Sequence, residues 1–88
     1  MHEVEVLLLT QSDCSFCDDA KDVLETLSKE YTLAVRVLDV ASDEGRDLAS
    51  QGGILFPPGL FLDGEPFSYG RVSARKLRKA LGKRLARA

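Results

Sequence analysis

Two cysteines stand three residues apart in Cys14-Ser15-Phe16-Cys17, and the 88-residue chain has no others. Thiol-disulfide exchange needs one thiolate to attack a disulfide sulfur and a second thiol near enough to resolve the mixed disulfide that forms. This spacing meets that need if a helix begins at the motif. Cys14 would then sit where unpaired backbone N–H groups stabilise an anion, and Cys17 one turn in and more covered. Cys14 is therefore expected to be the nucleophile and Cys17 the resolving thiol. Ser15 and Phe16 are expected to influence the redox balance and to touch substrate. No proline stiffens the helix start between the cysteines. Asp13, Asp18 and Asp19 oppose a thiolate at Cys14, so a less acidic nucleophile than in a strongly oxidising protein is expected. Two other readings compete. The cysteines could be small core residues, although core residues have no reason to occupy a helix N-terminus at this spacing. They could also form half of a metal or iron-sulfur module shared by two chains, because one chain supplies two thiolates and such sites want four ligands.

The elements that must position the motif are legible on both sides of it. Glu3 to Leu9 alternates and then runs continuously apolar, as a strand entering a sheet buried on both faces does. Ser12 and Asp13 are N-cap candidates directly before the cysteines. Phe16, Ala20, Val23, Leu24 and Leu27 then lay one apolar stripe along a helix, with Asp18, Asp19, Asp22 and Glu25 on the other face. Residues 33–40 are aliphatic and β-branched, which predicts a second strand, parallel to the first through a right-handed crossover. Ser42 caps a short helix over about 43–51 that Gly52-Gly53 closes. Leu60-Phe61-Leu62 and the stretch from Glu65 to Tyr69 read as strands joined by a tight Asp63-Gly64 turn. Ser73 caps a last helix carrying Leu77, Leu81 and Leu85. The predicted order is β-α-β-α-β-β-α: an α/β fold in which helices cover both faces of a four-stranded mixed sheet, as one domain over residues 1–88.

Composition narrows the context. The two cysteines are too few for a disulfide framework of the kind that staples secreted folds. The N-terminus carries Glu3 and Glu5 before a short apolar run, unlike a secretory signal, and no run approaches the roughly 20 apolar residues that cross a bilayer. A cytoplasmic protein that makes no use of a membrane is the expectation. His2, the sole histidine, reads as a terminal surface residue. All 14 acids lie at or before Glu65, while eight of the 12 basic residues lie between Arg71 and Arg87. The favoured reading is an amphipathic helix whose basic face is solvated and complements an acidic body. Arg75, Lys76, Arg78, Lys79, Lys83, Arg84 and Arg87 would form that face. Nucleic acid is not the expected partner, because the helix lacks the stacking aromatics of single-strand binders.

The segment from Asp63-Gly64-Glu65 through Ser68-Tyr69-Gly70-Arg71 resembles the compact bacterial glutaredoxin-like proteins, and three further features resemble the glutaredoxin-like branch of the thioredoxin superfamily as a whole. They are Leu7-Leu8-Leu9-Thr10 running into Cys-Ser-Phe-Cys, Pro58 before Gly59-Leu60-Phe61-Leu62-Asp63-Gly64, and the basic final helix. The resemblance implies a thioredoxin fold and a thiol-disulfide oxidoreductase with no cofactor beyond its own redox-active disulfide. It also implies that Pro58 is cis and faces the dithiol, and that Pro57 precedes the cis bond and offers its backbone to an extended substrate; Tyr69 and Arg71, at the end of the hairpin, are placed to line the substrate groove. Read without the family, Pro58 is a turn proline and Tyr69 a structural aromatic. Substrates would be protein disulfides or small-thiol mixed disulfides, met by a monomer. Gln11 stands where glutathione-using members carry a lysine or arginine, and Tyr69-Gly70-Arg71-Val72-Ser73 where they carry Gly-Gly and an Asp. The electron donor, whether glutathione, another small thiol or a reductase, is left open.

Overall fold

The computed structural model describes residues 3–86, so His2 and Arg87 lie outside the described residues. The chain runs β1 (Val4–Thr10), α1 (Ser15–Leu27), β2 (Leu33–Asp39), α2 (Asp43–Gly52), β3 (Gly59–Leu62), β4 (Glu65–Tyr69) and α3 (Ala74–Ala86). This is the order anticipated above. The sheet order is β2-β1-β3-β4, with β1 and β2 parallel and the β1–β3 and β3–β4 pairs antiparallel.

Period-two alternation divides β1 and β3 between two layers. Val4, Val6, Leu8, Leu60 and Leu62 face one way and close a core with Ala20, Leu24 and Leu27 of α1 and Leu77 and Leu81 of α3. Leu7 and Phe61, paired across the sheet, face the other way. There α2 gives partial cover. Gly52 lies against the Phe61 ring, and a groove of about 500 Å³ remains between Leu7, Ala34, Leu48 and Phe61, with the Arg36–Glu44 ion pair at its rim.

Local chemistry accounts for the boundaries. Ser42 Oγ accepts from the Gly45 amide at the start of α2 and Ser73 Oγ from the Lys76 amide at the start of α3, each satisfying a donor that the helix leaves free. Gly45 sits in the first turn of α2 because a Cβ there would collide with the Asp39 carbonyl oxygen. Asp63 and Gly64 both take positive φ, 49° and 82°, the backbone of a two-residue turn that matches strand twist. The expected caps of α1 are corrected: neither Ser12 nor Asp13 caps it. Asp13 adopts φ 53°, turning the chain so that Cys14 itself takes the extended cap conformation, φ −117° and ψ 103°.

The basic helix complements the acidic body at two points. Arg78 pairs with Glu30 at 2.8 Å, and Arg84 reaches Asp63 and Glu65, both at 3.2 Å, fastening α3 to the hairpin. The hydrogen bond from Arg78 holds the Glu30 carboxyl below its ordinary pKa. Because the folded value is the lower one, the stabilisation is present above the unfolded carboxylate's pKa. It is lost as acid carries the pH down through the folded value.

Candidate functional site

The strand register gathers the predicted site residues at one end of the sheet. β1 runs into the Gln11–Cys14 loop, Leu9 of β1 pairs with Gly59 at the start of β3, and Gly59 pairs with Tyr69 at the end of β4. The dithiol, the Pro57–Pro58 segment and Tyr69 therefore share that end, as does the start of α3. The Pro57–Pro58 peptide is cis, Pro58 is buried, and its carbonyl accepts from the Gly70 amide at 2.8 Å. That bond ties the proline segment to the residue following β4.

Cys14 and Cys17 are joined as a disulfide with their Cα atoms 5.2 Å apart. Cys14 is half-buried, whereas Cys17 is only 1% exposed, on the face of α1 that meets the core. The Cys17 amide donates to Cys14 Sγ at 3.1 Å, so the sulfur occupies the place of an N-cap side chain. The cause lies in the helix: its first amides have no partner of their own, and their aligned dipoles favour negative charge at that end. Among the described residues, no group of three or more His, Cys, Asp and Glu side chains is placed to hold a metal ion.

Phe16 is exposed at the helix start and Ser15 beside it is open to solvent. The proline segment contributes two further apolar side chains that the sequence reading did not single out, Leu55 at 76% exposed and Phe56 at 53%. Phe56 meets Tyr69 edge to face with ring centroids 5.1 Å apart. The usable signal was the Leu55-Phe56 pair placed in the water of a turn, directly before two prolines, where a polar residue costs less.

Gly70 makes this aromatic pair possible. Its φ is 77°, and a Cβ there would lie 2.8 Å from the Phe56 ring. Gly70→Ala is expected to lower stability by about 1–2 kcal/mol through the left-handed backbone alone. It should also push Phe56 off Tyr69. Urea denaturation reads the first effect, and loss of Phe56–Tyr69 ring NOEs the second.

A four-stranded mixed sheet with this order, a dithiol opening the first helix and a cis-proline at the same end of the sheet define a protein of the thioredoxin superfamily. Residues 5–82 match the family described as Glutaredoxin-like domain (DUF836). The chain belongs to that family. It is 31% identical to a thioredoxin of Methanocaldococcus jannaschii over 85 residues, 97% of this chain and all of the other. Its fold superposes on a mutant thioredoxin from Halobacterium salinarum with a TM-score of 0.70 and 30% identity, covering 91% of this chain and 73% of that one. The thioredoxin-like protein BC3987 gives 0.68 and 26%, covering 86% and 99%. Family, fold and paired cysteines together support a thiol-disulfide oxidoreductase-like role.

Proposed function

We propose that the protein reduces disulfides of proteins or of small-thiol adducts in the cytoplasm, acting as a monomer with Cys14 as nucleophile and Cys17 as resolving thiol. The observation that carries the assignment is the Cys17 amide aimed at Cys14 Sγ at the start of α1. A donor already in place stabilises the Cys14 thiolate without reorganisation, whereas Cys17, in the core, is shielded from outside disulfides.

In the reduced protein, the Cys14 thiolate attacks one sulfur of the substrate disulfide. The substrate S–S bond breaks, and the departing thiolate takes its electron pair and then a proton. Cys17, on losing its proton, attacks Cys14 Sγ, the mixed disulfide breaks and the second substrate thiol leaves. The substrate has gained two electrons and two protons, and the protein is left as the Cys14–Cys17 disulfide. A dithiol reductase or two equivalents of a small thiol return it to the start. No resident cofactor takes part. Phe16, Pro57 and Tyr69 supply the surface on which the substrate lies, with Ser15 beside the nucleophile and Pro58 beneath.

Equilibration in a graded series of thiol-disulfide buffers, quenched by alkylation and read by intact mass, tests the assignment. A reversible two-electron couple between about −300 and −120 mV is the expected result. A pair that never closes to the intramolecular disulfide would overturn it. Zinc or iron co-purifying with a dimer would then favour the shared metal module.

A further inference from the structure

Adjoining Tyr69 lies a pocket of about 400 Å³ whose lining includes Tyr69, Arg71, Ser73, Lys76 and Lys79. Its three cations differ from Arg78 and Arg84 in one respect. Arg78 and Arg84 each hold a carboxylate of the acidic body, whereas Arg71, Lys76 and Lys79 form no ion pair among the described residues. Ser68, whose shielded hydroxyl has no hydrogen-bond partner, is part of the same wall. Asp13, Asp18 and Asp19, adjacent in sequence to the dithiol, are exposed. The charge around the site is thus divided: acidic beside the nucleophile, apolar at Phe56 and Tyr69, and cationic in the pocket that Tyr69 helps to line.

We propose that the physiological disulfide partner is a protein with an acidic segment beyond its reacting cysteine, and that the segment's carboxylates dock on Arg71, Lys76 and Lys79. The proposal rests on the disulfide-exchange reading above and specifies its substrate. Charge complementarity and the spread of the cations select this occupant. Lys76 and Lys79 are separated by about 4.5 Å along the helix axis, and Arg71 precedes the helix, so the charges form an array instead of a point. An array of that kind matches several carboxylates along a chain better than the one or two of a small thiol. Across the divided surface, the acids near Cys14 repel the acidic end and the cations attract it, which fixes the direction in which the segment lies.

The test uses two short peptides, each carrying one cysteine in mixed disulfide with thionitrobenzoate and, several residues beyond it, a run of glutamates in one and of glutamines in the other. Release of the coloured thiol gives kcat/KM. The glutamate peptide is expected to react roughly fivefold faster at low salt, the scale of a few exposed charge pairs acting together. The preference should fall as salt is raised. In the triple variant Arg71→Glu, Lys76→Glu, Lys79→Glu the ratio should invert, with circular dichroism confirming the fold. Arg75→Glu with Lys83→Glu changes cations outside the pocket and should keep the preference. Equal rates for the two peptides in the natural protein would overturn the proposal, as would loss of the preference in the outer pair of substitutions. If neither peptide releases colour, the exchange reading itself fails. Titration of a cysteine-free glutamate peptide then reads the pocket alone: salt-sensitive amide shifts at Arg71, Lys76 and Lys79 support it and their absence overturns it. Stronger displacement of that peptide by single-stranded DNA than by a second acidic peptide would also overturn it, in favour of nucleic acid.

Discussion

Cys14→Ser is expected to reduce disulfide turnover by at least about three orders of magnitude, because a hydroxyl at that position is neither ionised at neutral pH nor able to form the mixed disulfide. The substitution is informative because it leaves the helix start intact. Cys14 occupies the N-cap of α1 and its sulfur accepts from the Cys17 amide. Serine is among the preferred residues at such a position and its oxygen can accept the same bond. Thermal unfolding of the reduced natural protein and of the variant should therefore nearly coincide while turnover is lost. Cys17→Ala should behave differently. Alanine is the better probe than serine there, because Cys17 is buried in the core and a hydroxyl would enter without an assured partner. This variant should still attack and then stall, accumulating a mixed disulfide on Cys14 that intact mass detects and added dithiol releases. A stalled adduct on Cys17 in the Cys14 variant would reverse the two roles.

The second large effect is on stability. Leu60 is fully buried in β3, between β1 and β4, and belongs to the core that α1 and α3 close. Leu60→Ala removes buried methyl groups where neighbours are held by a sheet and cannot easily collapse, so a cost of about 2–5 kcal/mol is expected. A domain of this size shifts its midpoint by roughly 4–8 °C per kcal/mol, so Tm should fall by at least about 8 °C. Leu55→Ala is the matched control: the side chain is mostly in water, and its loss should change stability by no more than about 0.5 kcal/mol. Calorimetry of both variants gives the comparison. Similar losses at the two positions would mean that the core is not organised around the two layers of β3.

The element order was readable because each segment carries its own signal. The alternating then continuous apolar run of β1, the stripe from Ala20 to Leu27, and the Asp63-Gly64 turn each reflect interactions within a few residues, whereas Phe16, expected to begin that stripe, stays exposed. The helix caps of α2 and α3 were readable for the same reason, since Ser42 and Ser73 bond to amides three residues on. The start of α1 misled the same reasoning. Ser12 and Asp13 have suitable side chains, but the turn at Asp13 takes a positive φ and hands the cap to a sulfur, a residue type that cap preferences do not favour.

The aromatic pair and the divided charge pattern belong to a different level. Phe56 and Tyr69 come together only because the β3–β4 hairpin returns the chain to the Pro57–Pro58 segment and Gly70 leaves room for the ring. Likewise, Arg78 and Arg84 look no different from Lys76 and Lys79 along the helix. The packing of α3 brings Glu30, in the turn after α1, to Arg78 and Asp63 of the hairpin to Arg84, and leaves the others facing the pocket. Residue type and short spacing were enough for the dithiol, the helix stripes and the turns, because local hydrogen bonding and side-chain periodicity are set within a few residues. Which surfaces meet, which charges remain unpaired and which apolar side chains stay in water depend on contacts between distant segments. Those contacts exist only once the burial of Val4, Val6, Leu8, Leu60, Leu62, Leu77 and Leu81 has drawn the strands and helices into one arrangement.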